Sequence, residues 1–293
     1  MATLRDIQRR IVGVKSTQQI TKAMKMIAAA RLRKAQANII NARPYTDKIA
    51  SMISKLPAEE DINSNPFFTL RESKNVAIIV IAADRGLCGS FSQNIFKETE
   101  RYIKEELSAN QIDYQLFCIG KKSVDYFSKR DYKIFNSESG LFSSLNYNSA
   151  LGVSDSVIPM FLDESFDKVI LIYNSFVSII RQKIVNKQLL PIIIEEETEE
   201  ESSAEINFIY EPDRGHIFEY LIPKHLKAQV WRALLESYAA ELSARMTAMD
   251  NATTNADEMI KSLNLTYNKE RQAAITKEIL EIVSGANALK ASS

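Results

Sequence analysis

From Pro223 to Gly285 the chain contains no internal proline or glycine, and this one feature constrains the fold most. A run of that length with a helix-forming composition reads as a helix of roughly 95 Å at 1.5 Å per residue, with Pro223 suited to its first turn. Stepping by three and four through Leu235, Tyr238, Leu242, Arg245, Met249, Ala252, Ala256, Met259, Leu263 and Thr266 finds eight apolar residues in ten, a coiled-coil heptad. The register slips near Glu270 and resumes at Ile275, Ile279, Ile282 and Val283. The first segment repeats the theme. It has only Gly13 before Pro44 and places Leu4, Ile7, Ile11 and Val14 at helical spacing. Continued to about Leu56 it would run roughly 80 Å, with a bend expected near Pro44. Two terminal helices, each too long to stand alone, pair most simply antiparallel to one another.

Between them short apolar runs alternate with helical ones. The pattern predicts strands at Val76 to Ala82, Tyr114 to Ile119, about Tyr132 to Phe135 and Lys168 to Tyr173. Helices are predicted near Gln93 to Leu107, Lys121 to Ser128 and Val153 to Leu162. Val177 to Ile184 and Gln188 to Ile194 read as a further strand pair. This is α/β wiring with a mostly parallel sheet. The expected architecture is an N-terminal coiled-coil helix over 1–57, a central Rossmann-like α/β domain over 58–213 and a C-terminal coiled-coil helix over 214–293.

Charge balances at 37 basic against 37 acidic residues, but unevenly along the chain. Residues 1–57 carry twelve Lys and Arg against Asp6 and Asp47, while 58–214 carry 16 basic and 26 acidic residues. The basic helix therefore calls for a negative partner, be it nucleic acid, anionic lipid or an acidic protein surface. Glu195 to Glu201, six Glu in seven residues, reads as a solvated loop. The longest apolar runs fall far short of the ~20 residues that span a bilayer, and the polar N-terminus has neither signal-peptide nor transit-peptide character. Synthesis and residence in a bacterial cytosol are the simplest expectation.

No catalytic constellation emerges. Asp84-Arg85-Gly86-Leu87-Cys88-Gly89-Ser90 lies between a strand and a helix, where nucleotide folds place a phosphate loop. Its two glycines come without the third glycine or the lysine that phosphate binding uses, so it reads as a structural turn. His216 and His225, the two histidines, have no nucleophile pattern beside them and suit surface or capping roles. Cys88 and Cys118 sit in or beside apolar runs and indicate neither a disulfide framework nor a metal site. Lys22 to Ala35, basic and free of aromatics, is a weak candidate for a nucleic-acid helix.

Seven stretches, in the first, middle and last parts of the chain, carry a resemblance. Ala2 to Ile7, Ser16 to Ala29 and Arg43-Pro44-Tyr45 resemble the N-terminal shaft helix of the F-type ATP synthase gamma-subunit family, bacterial type. Asp84 to Gly89 resembles that family's central loop, and Ala244 to Ala256, Tyr267 to Thr276 and Glu278 to Gly285 resemble its C-terminal helix. The resemblance implies a rotor, not itself catalytic, that couples ion translocation through a membrane ring to ATP synthesis or hydrolysis. Its coiled coil would lie on the axis of a head of three alpha and three beta subunits, with the α/β domain at the membrane-proximal end. Partners would be the alpha and beta subunits, the epsilon subunit and the c-ring, with no nucleic acid, no bound nucleotide, no metal and no cofactor. The place would be the cytoplasmic side of a bacterial inner membrane, held peripherally.

The resemblance also implies that an acidic loop of the beta subunits leans on the shaft, with counter-charges among Arg9, Arg10, Lys22, Lys25, Arg31, Arg33 and Lys34. It further assigns coupling contacts to Met24, Arg245, Arg271, Gln272, Thr276, Glu278 and Glu281, and a ring-facing foot to Tyr210 and Glu211. The chloroplast-type regulatory insertion with paired cysteines has no counterpart, so no thiol switch is implied.

Overall fold

The computed structural model describes residues 3–55, 65–193, 211 and 213–291. Element order is α1 (Leu4–Lys55), β1 (Asn75–Ile81), α2 (Phe91–Tyr102), β2 (Asp113–Ile119), α3 (Lys121–Phe127), β3 (Ile134–Glu138), α4 (Tyr147–Leu162), β4 (Lys168–Phe176), β5 (Gln182–Leu190) and α5 (Arg214–Ala291). A π-helical turn, Ile103–Leu107, follows α2. These elements fall into two compact units, one of Met1–Ala28 with Met246–Ser293 and one of Ala29–Arg245.

The larger unit is built on a five-stranded sheet of order β3-β2-β1-β4-β5. The first four strands run parallel and β5 runs antiparallel to β4. Because side chains alternate along a strand, each sheet face carries its own apolar set. Ala77, Ile79, Ile81, Phe117, Ile119, Val169 and Leu171 pack with Ile49 and Ile53 of α1, with Val153, Val157 and Phe161 of α4, and with Phe218 to Leu234 of α5. Val76, Ile78, Val80, Leu116, Cys118, Ile170 and Ile172 pack with Phe91, Ile95 and Phe96 of α2 and with Phe127. Covering both faces is what lets β1, β2 and β4 read as near-continuous apolar runs.

Several sequence expectations are corrected here. Val177 to Ile184 and Gln188 to Ile194 do not form a strand pair, because the second strand is the single β5, hydrogen-bonded to an extended β4. Val177, Ile179 and Ile180 lie in the turn between them and face solvent, a placement an apolar run alone does not reveal. β3 starts at Ile134, two residues later than expected, and α4 starts at Tyr147, six residues earlier, where Asn146 and Ser149 form a reciprocal capping box.

Helix α5 likewise starts earlier than predicted. Pro223 is interior, and the start is set by Asp213, whose Oδ1 accepts the His216 N–H at 2.9 Å and whose Oδ2 contacts His216 Nδ1 at 2.7 Å. α1 is unbroken at Pro44. The proline leaves the Ile40 carbonyl without its helical donor, and Ile40 is exposed enough for water to replace it.

The smaller unit is an antiparallel pair of helix segments. α1 opens with a capping box in which Asp6 N–H donates to Thr3 Oγ1 at 3.3 Å and Thr3 N–H donates to Asp6 Oδ2 at 3.1 Å. Ile7, Ile11, Thr21 and Ala28 are buried, with Val14, Gln18 and Lys25 half-buried between them, so the seam keeps heptad spacing. Three contacts fix the register against α5. Gln18 Nε2 donates to Asp257 Oδ1 at 3.0 Å, the Thr21 and Thr253 hydroxyls meet at 2.8 Å, and Lys25 Nζ donates to Asp250 Oδ1 at 2.6 Å. The pair numbers add to 274 or 275, so Leu4 lies opposite residues near 271 and α5 continues beyond the start of α1.

The α5 seam departs from the expected one at Met259, which is 45% exposed, while Ile260 is buried in its place and Tyr267 replaces Thr266. A helix of 3.6 residues per turn drifts against a strict seven-residue repeat, and a shift of one residue is the visible result. Ile275, Ile279, Ile282 and Val283, expected to resume the seam, are exposed because the α1 partner does not extend that far.

Candidate coupling surfaces

The predicted site residues fall in both units. Arg9 and Arg10 are exposed on α1, and Arg271, Gln272, Thr276, Glu278 and Glu281 are exposed on the part of α5 at or beyond the end of the α1 partner. Met24 is half-buried. Its neighbour Lys25 engages Asp250 of its own chain, so the charge of Lys25 is already partly neutralised. The Thr276 hydroxyl donates to the Gln272 carbonyl at 2.9 Å, a bond inside its own helix. In the larger unit Arg33 and Glu211 are exposed, while Tyr210 lies outside the described residues.

Arg245 differs from these. Its side chain is 14% exposed and holds Glu241 through Nη2 and Oε1 at 2.6 Å. The same nitrogen donates to the Arg85 carbonyl at 3.2 Å and the Gly86 carbonyl at 3.4 Å. On the other side of that turn, Asp84 Oδ1 accepts the Lys121 and Gly140 N–H groups at 3.0 and 2.7 Å, and Oδ2 accepts that of Phe142 at 3.2 Å. Nucleotide folds use this carboxyl edge of the sheet to present backbone donors to a phosphate. Here a carboxylate of the chain itself takes three of them, which gives the Asp84-to-Ser90 segment a structural task. Sequence reasoning missed Asp84, Glu241 and Arg245 as one group because nothing local links positions 84 and 241. The cue available was an aspartate directly after a buried strand and before a glycine turn.

Cys88 and Cys118 are both buried, and burial raises both thiols, Cys118 to about 12. A cleft of about 550 Å³ lies between α1, β5 and α5, lined by Asp47, Ser54, Lys187, Gln188, His225 and Gln229. Lys187 Nζ donates to Gln229 Oε1 at 2.7 Å. Among the described residues His225 Nδ1 is buried without a hydrogen-bond partner, which corrects the surface or capping role expected for it. Burial, with the Lys187 charge beside it, holds this imidazole down at about 4. The ordinary value is near 6.5, so the neutral ring contributes its stability fully above pH 6.5 and loses it as pH falls toward 4. On the order of 3 kcal/mol is at stake. Thermal unfolding followed by fluorescence of the single tryptophan, Trp231, should show a steeper loss between about pH 6.5 and 4.5 in the native chain than in His225→Asn. Parallel profiles would remove His225 from the acid response.

A family model described as ATP synthase matches residues 3–289. The ATP synthase gamma chain of Chlorobaculum parvum is 48% identical over 99% of this chain and 100% of its own length, and that of Geotalea daltonii is 46% identical over the same shares. The chain belongs to the ATP synthase gamma-chain family. A chain in the OSCP/F1/c-ring structure of the Euglena gracilis mitochondrial ATP synthase shares the fold, with TM-score 0.72 and 21% identity over 99% of this chain and 95% of that one. A chain from the central stalk and c-ring structure of the Tetrahymena thermophila enzyme gives TM-score 0.60 and 24% identity over 80% and 99%. A gamma chain is the central-stalk rotor subunit of the complex and not a catalytic subunit. Among the described residues no helix is long and apolar enough to cross a membrane.

Proposed function

We propose that the paired terminal helices of this gamma chain turn on the axis of a head of three alpha and three beta subunits, with the epsilon subunit and the c-ring as its other partners. It sits peripherally on the cytoplasmic face of a bacterial inner membrane. Rotation changes which beta subunit meets which side of the shaft, and those unequal contacts bias three equivalent sites toward different nucleotide affinities. The observation that carries this reading is the tip of α5. There Ile275, Ile279, Leu280, Ile282 and Val283 are exposed on a helix that has outrun its partner. An apolar surface of that kind on a helix end marks an interaction site. Arg9, Arg10, Met24, Lys25, Arg33, Arg245, Arg271, Gln272, Thr276, Glu278 and Glu281 are assigned to shaft contact and coupling, and Tyr210 with Glu211 to the ring-facing foot.

The test is co-assembly with the alpha and beta subunits from the same membranes. Ile279→Glu with Ile282→Glu should leave the isolated chain as helical as before and cut recovery of the complex about tenfold, since each substitution places a charge where an apolar wall is expected. Undiminished assembly would refute the tip contact.

A second outcome concerns coupling. Met24 is half-buried one residue before the Lys25–Asp250 pair, and a lysine there could reach an acidic beta loop that methionine touches only as an adaptable apolar contact. Met24→Lys should assemble and hydrolyse ATP yet pump fewer ions per ATP, while Met24→Leu should be nearly silent. Equal pumping-to-hydrolysis ratios on reconstituted vesicles would take Met24 out of the coupling path.

A further inference from the structure

One turn of α5 holds two loops by their carbonyls. Ser243 Oγ donates to the Ile179 carbonyl, and Arg245 donates to those of Arg85 and Gly86. Each loop then shows an apolar side chain to solvent, Ile180 at 91% and Leu87 at 65% exposure. Leu87 adopts φ 65°, a left-handed conformation that a leucine keeps only where its surroundings impose it. The surroundings are the Asp84 carboxylate on one side of the turn and the Glu241–Arg245 pair on the other.

We propose that Arg245 and Glu241 are positioning residues that clamp the 85–88 turn to α5, so that the part Arg245 plays in coupling runs through the placement of Leu87 and not through its own contact with a beta subunit. This rests on the rotor reading above. The geometry supports it in three ways. Arg245 is largely covered, its guanidinium is engaged by one carboxylate and two carbonyls, and Glu241 has no exposed face from which to recruit another partner. All three acceptors meet the one Nη2, so the contact depends on where the planar guanidinium places that nitrogen, which a lysine ammonium on its shorter, more flexible stem does not reproduce. Burial raises the Glu241 carboxyl, a tendency the charge and hydrogen bond of the adjacent arginine oppose.

Cys88 offers a reporter already in place. Its Sγ lies 3.8 Å from the Arg85 carbonyl inside the same turn, it is buried, and the other cysteine, Cys118, is fully buried in β2. In the full-length chain, maleimide labelling of Cys88 should be slow for the native protein and about tenfold faster for Arg245→Gln, with Arg245→Lys between the two. Glu241→Gln keeps the acceptor oxygen and should label faster than native but more slowly than Arg245→Gln. A labelling rate unchanged by Arg245→Gln would overturn the clamp.

The second readout is a double-mutant cycle in the assembled complex on vesicles, using Leu87→Ala, Arg245→Gln and both together. If Arg245 acts through Leu87, the double variant should lower the pumping-to-hydrolysis ratio no further than the worse single variant. Multiplying effects would show that Arg245 touches the partner independently, and the proposal would fall. Failure of every variant and of the native chain to assemble would instead refute the rotor reading, leaving the labelling result to decide the clamp.

Discussion

Gly120→Ala is expected to cost on the order of 3–5 kcal/mol and to lower the unfolding midpoint of the α/β unit by about 10 °C or more. Gly120 joins the end of β2 to α3 with φ 92° and ψ 136°, a combination essentially reserved for glycine. A Cβ there would lie 2.2 Å from the Ala82 carbonyl oxygen and 2.8 Å from its carbon. Neither atom can retreat. Ala82 N–H is bonded to the Ile119 carbonyl at 2.9 Å, Gly120 N–H to that of Glu138 at 2.7 Å, and Lys122 N–H to that of Ala83 at 3.0 Å. The substitution would therefore open the same carboxyl edge at which Asp84 gathers its three donors. Gly13→Ala is the control, because Gly13 is an exposed helical residue and a methyl group added there would meet no atom within 4 Å. That change should stabilise by about 1 kcal/mol. Trp231 fluorescence reads the affected unit directly. Similar midpoints for Gly120→Ala and the native chain would show that the edge is far more pliable than its hydrogen bonds imply.

Two truncations of α5 should separate the paired helix from its overhang. Removing 264–293 deletes the residues that the register places opposite Ile7 and the start of α1. Amide protection over residues 4–12 should then fall about 100-fold, because an isolated helical end of that length is marginal in water. Removing only 272–293 takes away the exposed tip and should leave that protection unchanged. The register rests on the Gln18–Asp257, Thr21–Thr253 and Lys25–Asp250 contacts, which lie well inside both truncation points and should persist in each. Native-like protection of residues 4–12 in both truncated chains would falsify the extrapolated pairing. Equal loss in both would show that the tip folds back on α1.

The two long terminal helices, the order of the elements and the position of the glycine turn were legible in the sequence because each follows from local chemistry, although the start of α5 was not. The absence of proline and glycine between Pro223 and Gly285 forces a long helix, and β1, β2 and β4 announce themselves as apolar runs because both of their faces are covered. The long resemblance from Ala2 to Gly285 likewise needed no coordinates. What the sequence did not determine depends on residues far apart in the chain. Val177 to Ile180 is as apolar as a strand, yet it is a turn, since β4 extends to Phe176 and β5 must return beside it. His225 is half-buried with its Nδ1 covered because α5 begins nine residues before Pro223 and lays that turn against β5. Met259 faces outward because the helix drifts against its repeat, and the isoleucines beyond 274 stay uncovered because α1 begins only at Leu4. The Asp84, Glu241 and Arg245 group arises where a sheet edge meets a helix that follows it by more than a hundred residues. Local propensity sets which elements form, but only packing between distant segments decides which faces are covered and which polar groups find one another.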